Sequence, residues 1–257
     1  MGEDSLFNGN LGNIRDAIVR AVSTGSLEVM NKVVSEKANE VEHLIKKRWM
    51  MKNHKGTKNE SYNFEGTNQK HIAGRQVPKH FVDKMLGNAM NVGFIHLLFP
   101  KAVILHVARE PLDTLFSAYK HDFPASGLYT YSSDFVSLAH MYRGYRDIMH
   151  HWDQVLPGRV THVKYEDMVH DMPGMADAII SEIGLPWDDG VLNFHKKKHA
   201  VNTMSSTQVR KGVYKDSLQS WRKYENHLEL FAKSLGTYGD HKFETTLENY
   251  NNVSKGQ

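Results

Sequence analysis

Cysteine is missing from all 257 residues, which excludes disulfides, thiolate metal ligands and a cysteine nucleophile within the chain. A charge excess of either sign is missing too. Lys and Arg number 32 against 29 Asp and Glu, a net of +3. That balance does not mark a nucleic-acid binder or a membrane-surface protein, so any anion site has to be a local cluster. Long apolar runs are also absent. The longest strongly apolar stretch, Val103 to Ala108, holds His106 inside it and is far too short to cross a bilayer. The first thirty residues lack the basic-then-apolar pattern of a signal peptide, so a cytoplasmic setting is the default expectation. Sixteen histidines, including His150-His151, come without an HExxH pair, and no metal site is expected. No GxxxxGK[ST] phosphate loop appears either.

What is present suits a folded α/β protein. Hydrophobic residues make up 40% of the chain, enough for a sizeable core. Leu11, Ile14, Ala17, Ile18 and Ala21 repeat at helical spacing and predict a helix from Asn10 to about Thr24. Ser26 stands where an N-cap would open a second helix, whose stripe runs through Leu27, Met30, Val33, Val34, Val41, Leu44, Ile45 and Trp49. Residues 52–77 are polar and predict a long surface loop or insertion. His80 to Val82 reads as a short strand. Asn88 to Phe99 reads as a helix with Met90, Phe94, Leu97 and Leu98 inward, stopped by Pro100.

Strands and helices then alternate. Lys101 to Ala108 has the length and composition of a buried parallel strand. Pro111 opens a helix, where its missing N–H costs little. A long helix spans Tyr131 to about Leu156, a strand Arg159 to Tyr165, and a helix Met172 to Ile183 closed by Gly184. The order implies an α/β domain with a mainly parallel sheet flanked by helices. Ligands in such sheets sit at the carboxyl ends of the strands.

Arg109 leaves the central strand at that end. Ser117 lies six residues past Pro111, about 9 Å along the following helix. Helical side chains lean toward the N-terminus, so a long arginine and this hydroxyl can clamp one phosphate between them. An ordinary ion pair for Arg109 and a solvated Ser117 fit the same spacing.

Strand, Arg, seven residues, Ser and helix together resemble the 3′-phosphate motif of the PAPS-dependent sulfotransferases. The nearest likeness is to the branch of the protein-tyrosine sulfotransferases and the sulfotransferase domains joined to tetratricopeptide repeats. "FVDKMLGNAMNVGFIHLLFPKAVILHVAREPLDT", "VKYEDMV" and "SSTQVRKGVYKDSLQSWRKYE" resemble further blocks of that branch, in order, over roughly residues 78–225. The resemblance implies a three-layer, P-loop NTPase-like fold and one sulfotransferase-like domain over 1–257. It also implies PAPS as donor, adenosine 3′,5′-bisphosphate as product, and a hydroxyl acceptor on a small molecule or a protein tyrosine. Arg109 and Ser117 would hold the 3′-phosphate, and Tyr165 would face the adenine. Arg210, Lys211 and Gly212 match the nucleotide loop near the C-terminus, with Ser217 a looser match toward the leaving phosphate. Lys84, 25 residues before Arg109, matches the lysine at the bridging oxygen, and Glu3 matches the general base.

One family element has no counterpart. The Pro-x-Ser-Gly-Thr turn that cradles the 5′-phosphosulfate should precede these motifs, and neither "STGS" at 23–26 nor "HKGT" at 54–57 follows a strand. The expectation is a domain whose first strand and phosphate loop lie before Met1. A relic that binds nucleotide weakly, or only a protein partner, is the alternative.

Overall fold

The computed structural model describes residues 11–53, 71–72, 75–76, 80–120, 130–196, 218–240, 243–247 and 250. The chain forms two compact units, residues 1–102 and 103–257.

In the first unit, α1 (Leu11–Ser23) and α2 (Leu27–Asn53) are joined by a tight turn at Gly25, whose φ of 66° lies in the left-handed region that glycine enters freely. Ser26 caps α2 as expected, its Oγ accepting from the Val29 N–H at 3.3 Å. Ile14, Ile18, Val41 and Leu98 form the core, with Val33, Val34, Ile45 and Phe94 against it. Leu27, assigned to the same stripe, is exposed. Two short strands, β1 (His71–Ile72) and β2 (Arg75–Gln76), pair antiparallel within the polar segment.

Two expectations in this unit are corrected. His80 to Val82 is not a strand. Val82 is 93% exposed, and three residues without a ladder cannot hold an extended pairing. The helix expected from Asn88 begins as a 3₁₀ turn, Leu86–Asn91, and becomes α-helical only in α3 (Val92–Leu98). Asn88 donates its side chain to Asp83 at 3.0 Å and Asn91 to the Gly87 carbonyl at 3.0 Å. Such side chains compete with the helical backbone ladder. Met90 and Leu97 consequently face outward, while Leu98 is buried.

The second unit carries the parallel sheet. β3 (Ile104–Ala108) leads into α4 (Pro111–Lys120), with Pro111 at the first helical position. A 3₁₀ turn (Thr130–Ser133) precedes α5 (Phe135–Val155), which Asp134 caps by accepting from the Ser137 N–H at 2.7 Å. β4 (Val160–Lys164) pairs parallel with β3, Ile104 opposite Val160 through Ala108 opposite Lys164. The expected strand ends at Lys164, because Tyr165 already begins a short helix, α6 (Tyr165–His170). Next comes α7 (Met172–Ile183), capped by Asp171 and closed by Gly184 at φ 74°. Past a 3₁₀ stretch, Ser220–His227, lies α8 (Glu229–Leu235).

Leu115 and Phe116 of α4, Leu138, Ala139 and Tyr142 of α5, and Leu228, Phe231 and Leu235 around α8 form the main core. Val163, Met175, Ala178 and Leu247 form a second beneath α7. β3 is less enclosed than the apolar run suggests. Val107 is 53% exposed although Val163, its register partner, is fully buried. The fold class is α/β. Among the described residues the parallel sheet has two strands.

The C-terminal segment 243–247 straps along β4. Thr246 accepts from the His162 N–H through its Oγ1 at 2.8 Å and donates its own N–H to the His162 carbonyl at 3.0 Å. Thr245 Oγ1 accepts from the Lys164 N–H at 3.1 Å and donates to Asp167 at 2.6 Å. Two threonines thereby complete an edge that would otherwise present unpaired backbone groups.

Candidate active site

Because β3 and β4 are in register, the residues leaving them emerge side by side. Arg109 follows β3 and Tyr165 follows β4, with the guanidinium carbon 5.1 Å from the ring centroid. This is a cation–π distance, and it fixes the direction in which the arginine fork points. Arg109 Nη2 lies 3.7 Å from Asp113 Oδ2, one turn along α4.

Asp113 is 1% exposed and holds three elements together. Its carboxylate accepts from the Gln219 N–H at 2.6 Å, the Ser220 hydroxyl at 3.2 Å and the Trp221 N–H at 3.4 Å. The 218–221 turn is thus pinned to the start of α4. The open N–H groups of that helix end are met by other carboxylates. The Asp113 N–H donates to Glu110 Oε2 at 2.6 Å, and the Glu110 N–H donates to Glu166 Oε1 at 2.9 Å. Glu166 sits beside Tyr165 at the start of α6, so the ends of both strands are tied through one hydrogen bond.

A cleft of about 160 Å³ opens at this point, with Arg109, Arg146, Lys164, Glu110, Glu166 and Phe243 among its walls. Three cations and three carboxylates make it polar and charged. Arg146 reaches the cleft from α5, its guanidinium 3.8 Å above the Phe243 ring.

Phe243 also stacks on His162 at 4.8 Å and stands edge-on to His106 at 4.6 Å. Behind it runs a partly buried polar chain. His106 Nδ1 and His162 Nδ1 are 2.7 Å apart, His162 Nε2 is 3.0 Å from Asp153 Oδ1, and His106 Nε2 meets the Tyr145 hydroxyl. The Asp153 carboxylate can only accept, so with both rings neutral the donors follow in turn. His162 donates through Nε2–H to Asp153. His106 donates through Nδ1–H to His162, and Tyr145 donates its O–H to His106 Nε2. Burial first, then the neighbouring His162 and Arg146, hold the His106 pKa down to about 3, so the ring is neutral. Burial likewise raises the Tyr145 pKa and keeps its hydroxyl protonated.

Of the residues singled out in the sequence, the structure brings Arg109 and Tyr165 together. Ser117 is half-buried on α4, nearly two turns beyond Pro111, and the cleft's walls are made without it. Lys84 is exposed in the first unit, just before the 3₁₀ turn. Glu3, Arg210, Lys211, Gly212 and Ser217 lie outside the described residues. Asp113, Glu110, Glu166 and Arg146 belong to the site and were not picked out. Asp113 carries a legible signal, being one helical turn from Arg109 in the first turn of α4, where a carboxylate is favoured. Among the described residues no group of histidines and carboxylates could hold a metal ion, and no helix is long and apolar enough to cross a membrane.

A parallel strand pair delivers an arginine and an aromatic to a charged cleft at its carboxyl ends, the position at which α/β sheets generally take ligands. Residues 18–189 match the model of the Sulfotransferase family, and the chain belongs to that family. An uncharacterized protein of Aquifex aeolicus (strain VF5) is 36% identical over 148 residues, covering 57% of this chain and 19% of that protein. The chain therefore matches about a fifth of the length of this relative.

Proposed function

We propose that the chain is a sulfotransferase that takes PAPS as donor and passes its sulfuryl group to a hydroxyl on a small molecule or a protein tyrosine. The observation that carries this reading is the Arg109–Tyr165 pair at the mouth of a charged cleft, within the family's matched region. In this reading Arg109 grips the 3′-phosphate, with Ser117 contributing a hydroxyl. Tyr165 supports the adenine with an aromatic face and a polar tip. Arg210, Lys211, Gly212 and Ser217 supply a closing loop. Because the family match includes residues of both units, we read 1–257 as one domain of a P-loop NTPase-like, mainly parallel fold.

The chemistry is a displacement at sulfur. The acceptor oxygen gives its proton to a base, in our reading Glu3, as its bond to sulfur forms. The bond from sulfur to the 5′-phosphate oxygen breaks, and the Lys84 ammonium stabilises the charge left on that oxygen. The order of blocks from Lys84 to Trp221 favours the tyrosine-sulfotransferase and tetratricopeptide-associated branch.

Calorimetric titration of the whole chain with adenosine 3′,5′-bisphosphate tests the reading. Saturable binding that is lost in Arg109→Ala supports it, and undetectable binding at millimolar ligand sinks it. A second reading, a domain that binds the nucleotide without turning it over, draws on one observation. These 257 residues contain no Pro-x-Ser-Gly-Thr turn for the 5′-phosphosulfate. Transfer of radiolabelled sulfuryl groups from PAPS to a panel of hydroxyl acceptors separates the two.

A further inference from the structure

We infer that Arg146 is a further ligand of the nucleotide's 3′-phosphate and makes the cleft selective for a nucleotide bearing one; this rests on the nucleotide reading above. The argument begins with the engagement of the other charged groups in the cleft. Asp113 accepts from the 219–221 turn, Glu110 from the Asp113 N–H and Glu166 from the Glu110 N–H. The Lys164 ammonium is paired with Glu244 at 3.1 Å. Arg109 is in contact with Asp113.

Arg146 comes to the cleft from α5. Its guanidinium is held over the Phe243 ring and also interacts with the Tyr142 hydroxyl. Its Nη1 is out of contact with solvent and has no hydrogen-bond partner among the described residues. A buried guanidinium N–H without an acceptor is costly. The groups that match its planar donors are carboxylate and phosphate oxygens, and among the described residues no carboxylate of the cleft accepts from Nη1. The missing acceptor is therefore an oxyanion brought by the ligand. Since Arg109 and Arg146 line one cleft of about 160 Å³, a single phosphate can take donors from both.

Phe243 makes the arrangement rigid. Its ring meets both the Arg146 guanidinium and the His162 imidazole, so the guanidinium is set in place before a ligand arrives.

The test compares adenosine 3′,5′-bisphosphate with adenosine 5′-phosphate on the wild-type chain and on Arg146→Met, which keeps much of the apolar contact with Phe243. Arg146→Met is expected to weaken the bisphosphate about 10- to 100-fold, as for a lost charged hydrogen bond. Adenosine 5′-phosphate should change little, so that the preference for the 3′-phosphate collapses. A merely structural role would weaken both nucleotides alike. A preference retained in Arg146→Met overturns the inference, whether both affinities fall together or neither moves. Arg146→Lys, which keeps the charge and loses the fork, is expected to recover part of the preference.

Failure of the nucleotide reading shows differently, as a wild-type chain with no preference for the bisphosphate. Inorganic phosphate then decides the case for Arg146. A phosphate-dependent rise in melting temperature in wild type and not in Arg146→Met supports an oxyanion at this residue, and equal behaviour of the two chains overturns it.

Discussion

Arg109 and Tyr165 stand 56 positions apart in the sequence and 5.1 Å apart in space, guanidinium carbon to ring centroid. Strand register is the whole cause. Ala108 faces Lys164 across the parallel ladder, so the next residue of each strand has to emerge beside the other.

On the nucleotide reading proposed above, that pairing predicts two different losses of affinity. Arg109→Ala removes a charged donor pair and is expected to weaken adenosine 3′,5′-bisphosphate by about 100-fold. Tyr165→Leu removes a ring face and is expected to weaken it about 3- to 10-fold, as for a lost partly exposed aromatic contact. Calorimetric titration of both variants measures the order. A Tyr165→Leu chain that loses more than Arg109→Ala would place the adenine, not the phosphate, as the principal anchor.

Asp113 is expected to be the most stability-sensitive polar residue of the second unit. Arg109 and three donors of the 219–221 turn converge on its buried carboxylate. Asp113→Ala leaves them uncompensated and should cost about 3 kcal/mol. Asp113→Asn, which keeps one acceptor, should cost less. Urea midpoints give the order, and hydrogen exchange at Gln219 and Trp221 should accelerate in both variants.

The buried histidine gives a pH dependence of definite sign. His106 is neutral in the folded protein down to about pH 3, whereas an unfolded histidine takes its proton near pH 6.5. Between those values the unfolded state binds the extra proton. Stability is therefore fully present above pH 6.5 and declines as pH falls toward 3, by up to about 1.4 kcal/mol per pH unit from this residue. His106→Asn should be less stable at pH 7.5, because the chain from Tyr145 to Asp153 is interrupted. It should also lose stability less steeply between pH 6 and pH 4.5. Parallel slopes for the two chains would show that His106 takes up its proton while folded.

Gly184 offers a purely backbone test. Its φ of 74° lies in the left-handed region, and a Cβ there would meet nothing within 4 Å. Gly184→Ala is expected to lower stability by about 1 kcal/mol with nucleotide affinity unchanged. A neutral result would mean the α7 terminus relaxes.

Local signals made much of this fold readable. Proline at the start of α4, the β-branched residues of β3 and β4, and the glycine after α7 each act within a few residues of themselves. Arg109 was readable for the same reason, since a strand end is a local event. The remainder of the site depends on contacts over long separations. Nothing near Asp113 announces that residues 219–221 will dock on it, and nothing near Arg146 announces Phe243. The misread segment around Leu86 to Asn91 has another cause. Its asparagines prefer short side-chain bonds to a helical ladder, and they outweigh the apolar periodicity around them.

The strap at 243–247 also sets an order of events in the life of the chain. His162 waits for a hydrogen-bond partner 84 residues further on, and Lys164 for one 81 residues further on. On a ribosome adding about 5–20 residues per second, β4 is made several seconds before the threonines that cover its edge. Phe243 arrives just as late, so Arg146 and His162 gain their shared platform only when synthesis has passed it. During that interval the nascent sheet edge and the cleft beside it are both unfinished.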